Sequence, residues 1–359
     1  MKRASLVLLL ALVTATAPSA GGPDELVVMT RNQYLGADLS PILTATTAAG
    51  FIAAVQTALS EIAAAGFPER AEALADEIVE KRPHLVGLQE VFRFTINGVT
   101  AAPPFRDQLE DLLAALAARG AGYYVAAEVR NLDITIPLPG GGVIQATDRD
   151  IVLARADVTT WPAPVPGCRA SVDGCNFGIV ATLDSPVGPI AIERGFVVVD
   201  AVAAGQMVRF VNTHLEIPEL PRVIQAVQAA ELIARLGALA NPLDLPVVIA
   251  GDINSAPTNL PLVVGDQIIA SPYAQLLLAG YLDAWQLRPG MPPGYTCCQA
   301  SDLLNLESAL FKRVDVIVTS RQPSHAHANI VGADPEDRTA SGLWPSDHAG
   351  VVARFHFDQ

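Results

Sequence analysis

The sequence predicts an α/β sandwich, with strands in mixed pairings and helices on the outside. Three observations lead there. Short runs of Val, Ile, Leu and Phe alternate with amphipathic helical stretches along the chain. Two neighbouring runs, Phe196 to Val199 and Val208 to Asn212, are separated by only a few polar and small residues, as antiparallel hairpin partners are. No linker or shift of composition divides residues 21–359, so these elements read as one domain.

Residues 1–20 read as an export leader. Lys2 and Arg3 precede the apolar run Ser5 to Val13, and Ala15, Ala17, Ser19 and Ala20 supply the small residues of a cleavage site. Pro18 disfavours a cut directly after Ala17, which points to cleavage after Ser19 or Ala20. The apolar run is about half the ~20 residues that a bilayer span needs, so a secreted or periplasmic protein without a transmembrane anchor is expected.

The strands are predicted at Leu26 to Thr30, Leu85 to Leu88, Asp150 to Ala154, Phe196 to Val199, Val208 to Asn212, Val247 to Ala250, Val314 to Thr319 and Gly350 to Phe357. Each is an apolar run bounded by turn residues, the pattern of a buried strand. Helical spacing of apolar residues predicts helices over Phe51 to Ala65, Pro68 to Lys81, Phe105 to Arg119 and Leu220 to Leu239. Pro68 suits a first helical turn, and Pro83 falls just past the end of the same helix. Asn131 to Thr147, with Pro137, Pro139 and Gly140 to Gly142, reads as an exposed loop or hairpin tip. Its segment Ile134-Thr135-Ile136-Pro137-Leu138 suits either a buried hairpin strand or an element that touches a membrane.

Composition narrows the function. At 51% hydrophobic and 17% charged the chain has ample core, which excludes general disorder. A formal charge of −14 argues against a broad basic face for nucleic acid, and loss of Lys2 and Arg3 with the leader would make it −16. A nuclease stays open, because a bound divalent cation supplies local positive charge. Four cysteines suit an exported protein: Cys168 and Cys175 sit close together in a Pro/Gly-rich loop and could close a small disulfide, Cys297 and Cys298 are adjacent, and all three pairings remain open. No Cys-x-x-Cys spacing supports a zinc site, so structural staples are expected.

Polar residues able to do chemistry recur at one kind of place, just after the apolar runs. Asn32, Gln89 with Glu90, His214, and Asp252 with Asn254 all follow predicted strands, where an open sheet places its ligand crevice. Asp347-His348 precedes the last strand. Asp315 lies inside one, where an unpaired carboxylate would be costly, and a histidine that needs an orienting acid is its natural partner. His84, His325, His327 and His356 match no motif. Nor does the chain carry a Gly-x-Ser-x-Gly elbow or a P-loop.

Six stretches, in order, resemble the endonuclease/exonuclease/phosphatase superfamily, which includes deoxyribonuclease I, exonuclease III and the neutral sphingomyelinases. They are Met29-Thr30-Arg31-Asn32, Leu88-Gln89-Glu90-Val91, Asn212-Thr213-His214-Leu215, Gly251-Asp252-Ile253-Asn254-Ser255, Arg313-Val314-Asp315-Val316-Ile317 and Ser346-Asp347-His348-Ala349-Gly350. The resemblance implies a four-layer, deoxyribonuclease I-like sandwich of two packed mixed sheets flanked by helices. It implies Glu90 as a ligand of Mg²⁺, with Mn²⁺ or Ca²⁺ as alternatives, Asn32 as helping to hold that metal or the scissile phosphate, and Asp347 near the metal or the water. A hard cation held by a carboxylate, an amide oxygen and waters is what Mg²⁺ chemistry favours. It also implies that Asp252 and Asn254 place the attacking water and bind phosphate, that His348 is the catalytic histidine oriented by Asp315, and that His214 assists the leaving oxygen. Arg149 is expected either to contact phosphate or to form a surface ion pair.

The expected reaction is in-line attack of water on phosphorus, with the substrate a nucleic-acid or phospholipid phosphodiester. Arg31, Arg149 and Arg313 are the cations that would favour nucleic acid, and Tyr295 could stack on a base or sugar. The alternatives are a soluble phosphomonoesterase and a catalytically silent binding module on the same fold. No stable protein partner is expected, and the chain reads as a monomer.

Overall fold

Two mixed sheets pack face to face and each carries helices on its outer side, giving four layers. The computed structural model of the chain describes residues 25–97, 99–100, 107–137, 142–288, 290 and 293–358. The expected leader, residues 1–20, lies outside them.

At the centre of each sheet is one parallel pair, flanked by antiparallel strands. In the first sheet Leu26–Asn32 runs parallel to Leu85–Gln89, with Gly350–His356 on one side and Val143–Arg155 on the other. In the second, Gln206–His214 runs parallel to Val247–Asp252, between Gly195–Ala203 and Asp315–Thr319. The registers set residues side by side at the ends of both pairs: Asn32 beside Gln89, His214 beside Asp252, and Asp252 beside Asp315.

Strand alternation explains why these segments read as unbroken apolar runs. Leu26, Val28 and Leu85 point between the sheets, where they meet Val197, Val199, Phe210, Val248 and Phe355. Val27, Met29, Val86 and Leu88 point the other way, onto Ala71, Leu74 and Ile78 of the helix Phe67–Lys81 and onto Leu112 and Leu116 of Gln108–Ala118. On the second sheet Val198, Val211, Ile249 and Val316 meet Leu232 and Leu236 of Arg222–Ala238. A strand covered on both faces has no solvent side on which to place polar residues. Full burial of each Leu, Ile or Phe here contributes about 1.5–3 kcal/mol.

The helices begin and end within a few residues of the expected positions. Thr47 caps Ala48–Ala64 by accepting from the Gly50 amide, and Asp107 caps Gln108–Ala118 by accepting from the Leu109 amide. The flanks of Asn131 to Thr147, expected as a loop or hairpin tip, are the strands Tyr123–Pro137 and Val143–Arg155 of a long antiparallel hairpin. The loop reading fails there because Glu128, Arg130 and Asp133 interrupt the apolar pattern of a strand with a partly solvated face. Ile134 packs against the cluster of Leu35, Ala58, Phe92 and Phe94, so it belongs to a strand turned inward. Leu138, Pro139 and Gly140 lie outside the described residues.

Cys168 and Cys175 form one disulfide, and Cys297 and Cys298 are bonded to each other. Among the described residues, no single helix is long and apolar enough to cross a membrane.

Candidate active site

The ends of the two parallel pairs meet at one rim, where the sheets supply complementary halves of a site. Asn32, the last residue of its strand, donates from Nδ2 to Glu90 Oε1 at 3.0 Å and to Asp252 Oδ2 at 3.2 Å, linking carboxylates from opposite sheets. Its Oδ1 accepts from the Tyr34 amide at 2.9 Å. The amide nitrogen of Asn32, not the oxygen expected to ligate a metal, therefore faces the carboxylates.

Glu90 and Asn254 both hold left-handed backbone, with φ of 55° and 50°. Such a turn directly after a strand swings the side chain back over the strand end. Glu90 Oε2 accepts from the Leu35 amide at 3.0 Å. Asp252 Oδ1 accepts from the Asn254 amide at 2.9 Å, which closes the turn and leaves Oδ2 toward the cleft.

His348 is held by Asp315 across a 2.8 Å contact from Nδ1 to Oδ2. Thr296 Oγ1 accepts from the amides of Val314 and Asp315, fixing that strand end, and Ser346 Oγ accepts from the His348 amide. Burial alone would lower the pKa of His348, but Asp315, Asp347 and Asp252 outweigh it and hold the ring well above the ordinary histidine value. The surrounding carboxylates thus favour the protonated ring.

His214 is its opposite. Arg194 donates to Nδ1 at 3.0 Å. On its other side, Nε2 lies 3.6 Å from Asp252 Oδ2 and 3.2 Å from Asn254 Nδ2, whose amide also donates to the Leu215 carbonyl at 3.0 Å. Burial, with Arg194 and His348 nearby, pushes its pKa well below the ordinary value. Its surroundings thus favour the neutral ring.

Acidic groups dominate the rest of the rim. Burial first, then neighbouring charges that include Glu90, push Asp148 up to about 6, Asp252 to about 6 and Asp347 to about 7. Asp148 Oδ1, Asp150 Oδ1 and Asp315 Oδ1 are buried and lack hydrogen-bond partners. A set of hard oxygen donors that repel one another suits a divalent cation, and Glu90 with Asp347 would hold it. Asp252, Asp315 and His348 also place one ligand atom each within 4.8 Å of the others, but the Nδ1 contact to Asp315 identifies an oriented histidine there.

Gln89 belongs to the scaffold. It donates to Asn212 Oδ1 at 2.6 Å across the sheet interface, while Asn212 donates to the carbonyls of Leu88 and Ile151. The three arginines expected to serve substrate are structural as well. Arg31 pairs with Glu77, Arg313 with Asp283, and Arg149 with Asp107 while it donates to the Val91 carbonyl. Arg149 is only 3% exposed, so it forms a buried ion pair and is not turned to the cleft. Tyr295 is exposed beside Thr296.

Arg194 was not foreseen from sequence, although it is the guanidinium that touches the site, balanced by Glu216 at 3.3 Å and Asp148 at 3.7 Å. It sits in a turn with no motif. The one signal was Glu216 just past the His214 strand, a buried acid that needed a partner.

A four-layer sandwich whose strand ends gather carboxylates, an amide and an aspartate-held histidine has the architecture of the phosphoester hydrolases. The chain belongs to the Endonuclease/Exonuclease/phosphatase family, whose model matches residues 58–348. Three solved structures share the fold. Family members from Leptotrichia buccalis and Bacteroides thetaiotaomicron each have a TM-score of 0.51, at 15% and 16% identity, covering 92% and 93% of this chain and 100% and 98% of theirs. Truncated Caenorhabditis elegans TDP2 has a TM-score of 0.50 at 16% identity, covering 92% of this chain and 97% of its own. No curated protein matches the sequence.

Proposed function

We propose that this is an exported, divalent-metal-dependent phosphodiesterase that hydrolyses its substrate by direct in-line attack of water. The observation that carries this reading is geometric: His348, held by Asp315, and His214 come within 3.7 Å and 3.6 Å of the same carboxylate oxygen, Asp252 Oδ2. Asp252 is placed to accept a proton from water, with a pKa near 6 that lets it be ionised yet basic at neutral pH. The carboxylates around His348 favour a charged ring, which would face a phosphoryl oxygen, and His214 would assist the leaving oxygen. A divalent ion held by Glu90 and Asp347 would neutralise charge on the phosphoryl group and stabilise the leaving oxygen. None of these residues is arranged as a covalent nucleophile.

The acidic surface and the internal pairing of Arg31, Arg149 and Arg313 weigh against long nucleic acid as the preferred substrate. The test is cleavage of a chromogenic phosphodiester, duplex DNA and sphingomyelin vesicles, each with Mg²⁺ and with EDTA, using His348→Ala as the blank. Turnover that needs both Mg²⁺ and His348 supports the reading. Turnover of none of the three overturns it. Export is tested by the N-terminus of protein recovered outside the cytoplasm, which should begin at Ala20 or Gly21.

A further inference from the structure

A second cavity adjoins the candidate active site. Its volume is about 580 Å³, within the roughly 300–1,000 Å³ of small-molecule sites. Three units form its walls: the helical segment that includes Phe51 and Ile62, the long hairpin with Ile134 and Ile144, with Phe92 and Phe94 beside it, and the short hairpin of Ala181–Ser185 and Gly188–Ile192, which contributes Leu183 and Ile190. The lining is mostly aliphatic and aromatic. At its rim Leu39 is 39% exposed and Val187 52% exposed, so the groove opens to the surface over apolar edges. Unfilled apolar concavities of this size are unfavourable in water and mark binding sites.

Two walls run directly into the catalytic rim. Leu35 lines the groove with its side chain, while its amide holds Glu90 Oε2 at 3.0 Å. Glu193 lines it from the other side, and the next residue is Arg194, which contacts His214. A phosphate placed between His348 and His214 would thus have an ester substituent able to enter a greasy channel. Charge at the rim and hydrocarbon in the groove together match an amphiphile.

Resting on the phosphodiesterase reading above, we infer that this groove binds the hydrocarbon chain of the substrate, and that the enzyme acts on long-chain phosphodiesters. The chain is taken up singly, methylene by methylene, against Leu35, Phe92, Ile134 and Ile190. Affinity therefore rises with chain length until the groove is full.

The experiment separates binding from turnover. Dodecyl phosphate below its micelle concentration and ethyl phosphate are titrated into the full mature protein by calorimetry, beside the same titrations into Ile190→Asp and into Val263→Asp, an exposed position outside the groove. Dodecyl phosphate should bind at least tenfold tighter than ethyl phosphate to the wild type and to Val263→Asp. Ile190→Asp should lose most of that ratio. Equal affinity for the two ligands, or an unchanged ratio in Ile190→Asp, overturns the groove assignment whether or not the protein is an enzyme. In parallel, hydrolysis of 4-nitrophenyl ethyl phosphate with Mg²⁺ tests the catalytic reading alone. Co-flotation with phosphatidylcholine vesicles that Ile190→Asp does not weaken, without binding of the monomeric amphiphile, would assign the surface to a membrane and overturn uptake of a single chain.

Discussion

His348 and His214 face the same carboxylate, yet their pKa values are displaced in opposite directions: burial lowers both, and the charges beside the two rings differ in sign. Asp315, Asp347 and Asp252 surround one ring; Arg194 is bonded to the other. Asp315→Asn keeps the shape of the pair but removes the charge that holds the imidazolium, so turnover should fall about 100-fold, and His348→Ala should cost about 1,000-fold. A loss of less than threefold for His348→Ala would remove it from the mechanism. The pH profile has its own sign. A proton acceptor works only when ionised, so kcat/KM should rise with pH through about 6 as Asp252 loses its proton, and this limb should be absent in Asp252→Asn. A profile of the wild type that falls over the same window would assign the acid role instead.

The sequence made the strand ends legible because each parallel strand is covered on both faces, leaving polar residues only where the strands stop. That placed Asn32, Glu90, His214 and Asp252 at one rim before any contact was known. The strand Tyr123–Pro137 escaped because its polar residues break the run, and Arg194 escaped because a turn residue carries no period. Gly87 marks the joint between the sheets: a Cβ there would meet Asn212 Oδ1 at 2.7 Å, in the bond network that ties Gln89 to Asn212. Gly87→Ala should therefore destabilise by roughly 1–3 kcal/mol, read as a lower denaturant midpoint. An unchanged midpoint would mean that the interface adapts freely.

His84 ties the edge of the same element to acid stability. Its amide donates to the Val27 carbonyl at 2.7 Å, and its Nδ1 accepts from the Val27 amide at 3.0 Å. Burial, then Arg155, lowers its pKa to about 4, against an ordinary value near 6.5. Between those values the unfolded chain binds a proton that the folded chain does not, so stability falls as pH drops from about 6.5 to 4 and the loss then levels off. The full effect is roughly 3 kcal/mol. His84→Gln keeps an acceptor for Val27 but does not titrate. The wild type should therefore lose stability relative to this variant across that window in urea titrations. A pH-independent difference would show that His84 titrates alike in the folded and unfolded chain, which overturns the assignment.

The chain carries a formal charge of −14, and six of its acidic residues, Glu90, Asp148, Asp150, Asp252, Asp315 and Asp347, gather near the catalytic rim. In the folded chain these carboxylates are held close together; in the unfolded chain they separate. A divalent cation that binds only the folded arrangement must therefore stabilise it, by about 2.7 kcal/mol at a hundredfold excess over Kd. In a chain of this size the Tm should rise by a few degrees with Mg²⁺ over EDTA. Potassium at matched ionic strength screens the repulsion without ligation and should give a smaller shift. Glu90→Gln removes one carboxylate from the repulsive set, so its Tm in EDTA should equal or exceed that of the wild type, while its response to Mg²⁺ should shrink to that of potassium. If Glu90→Gln instead keeps the full Mg²⁺ shift, the cation is held elsewhere, and Glu90 serves only to anchor Asn32 and Leu35.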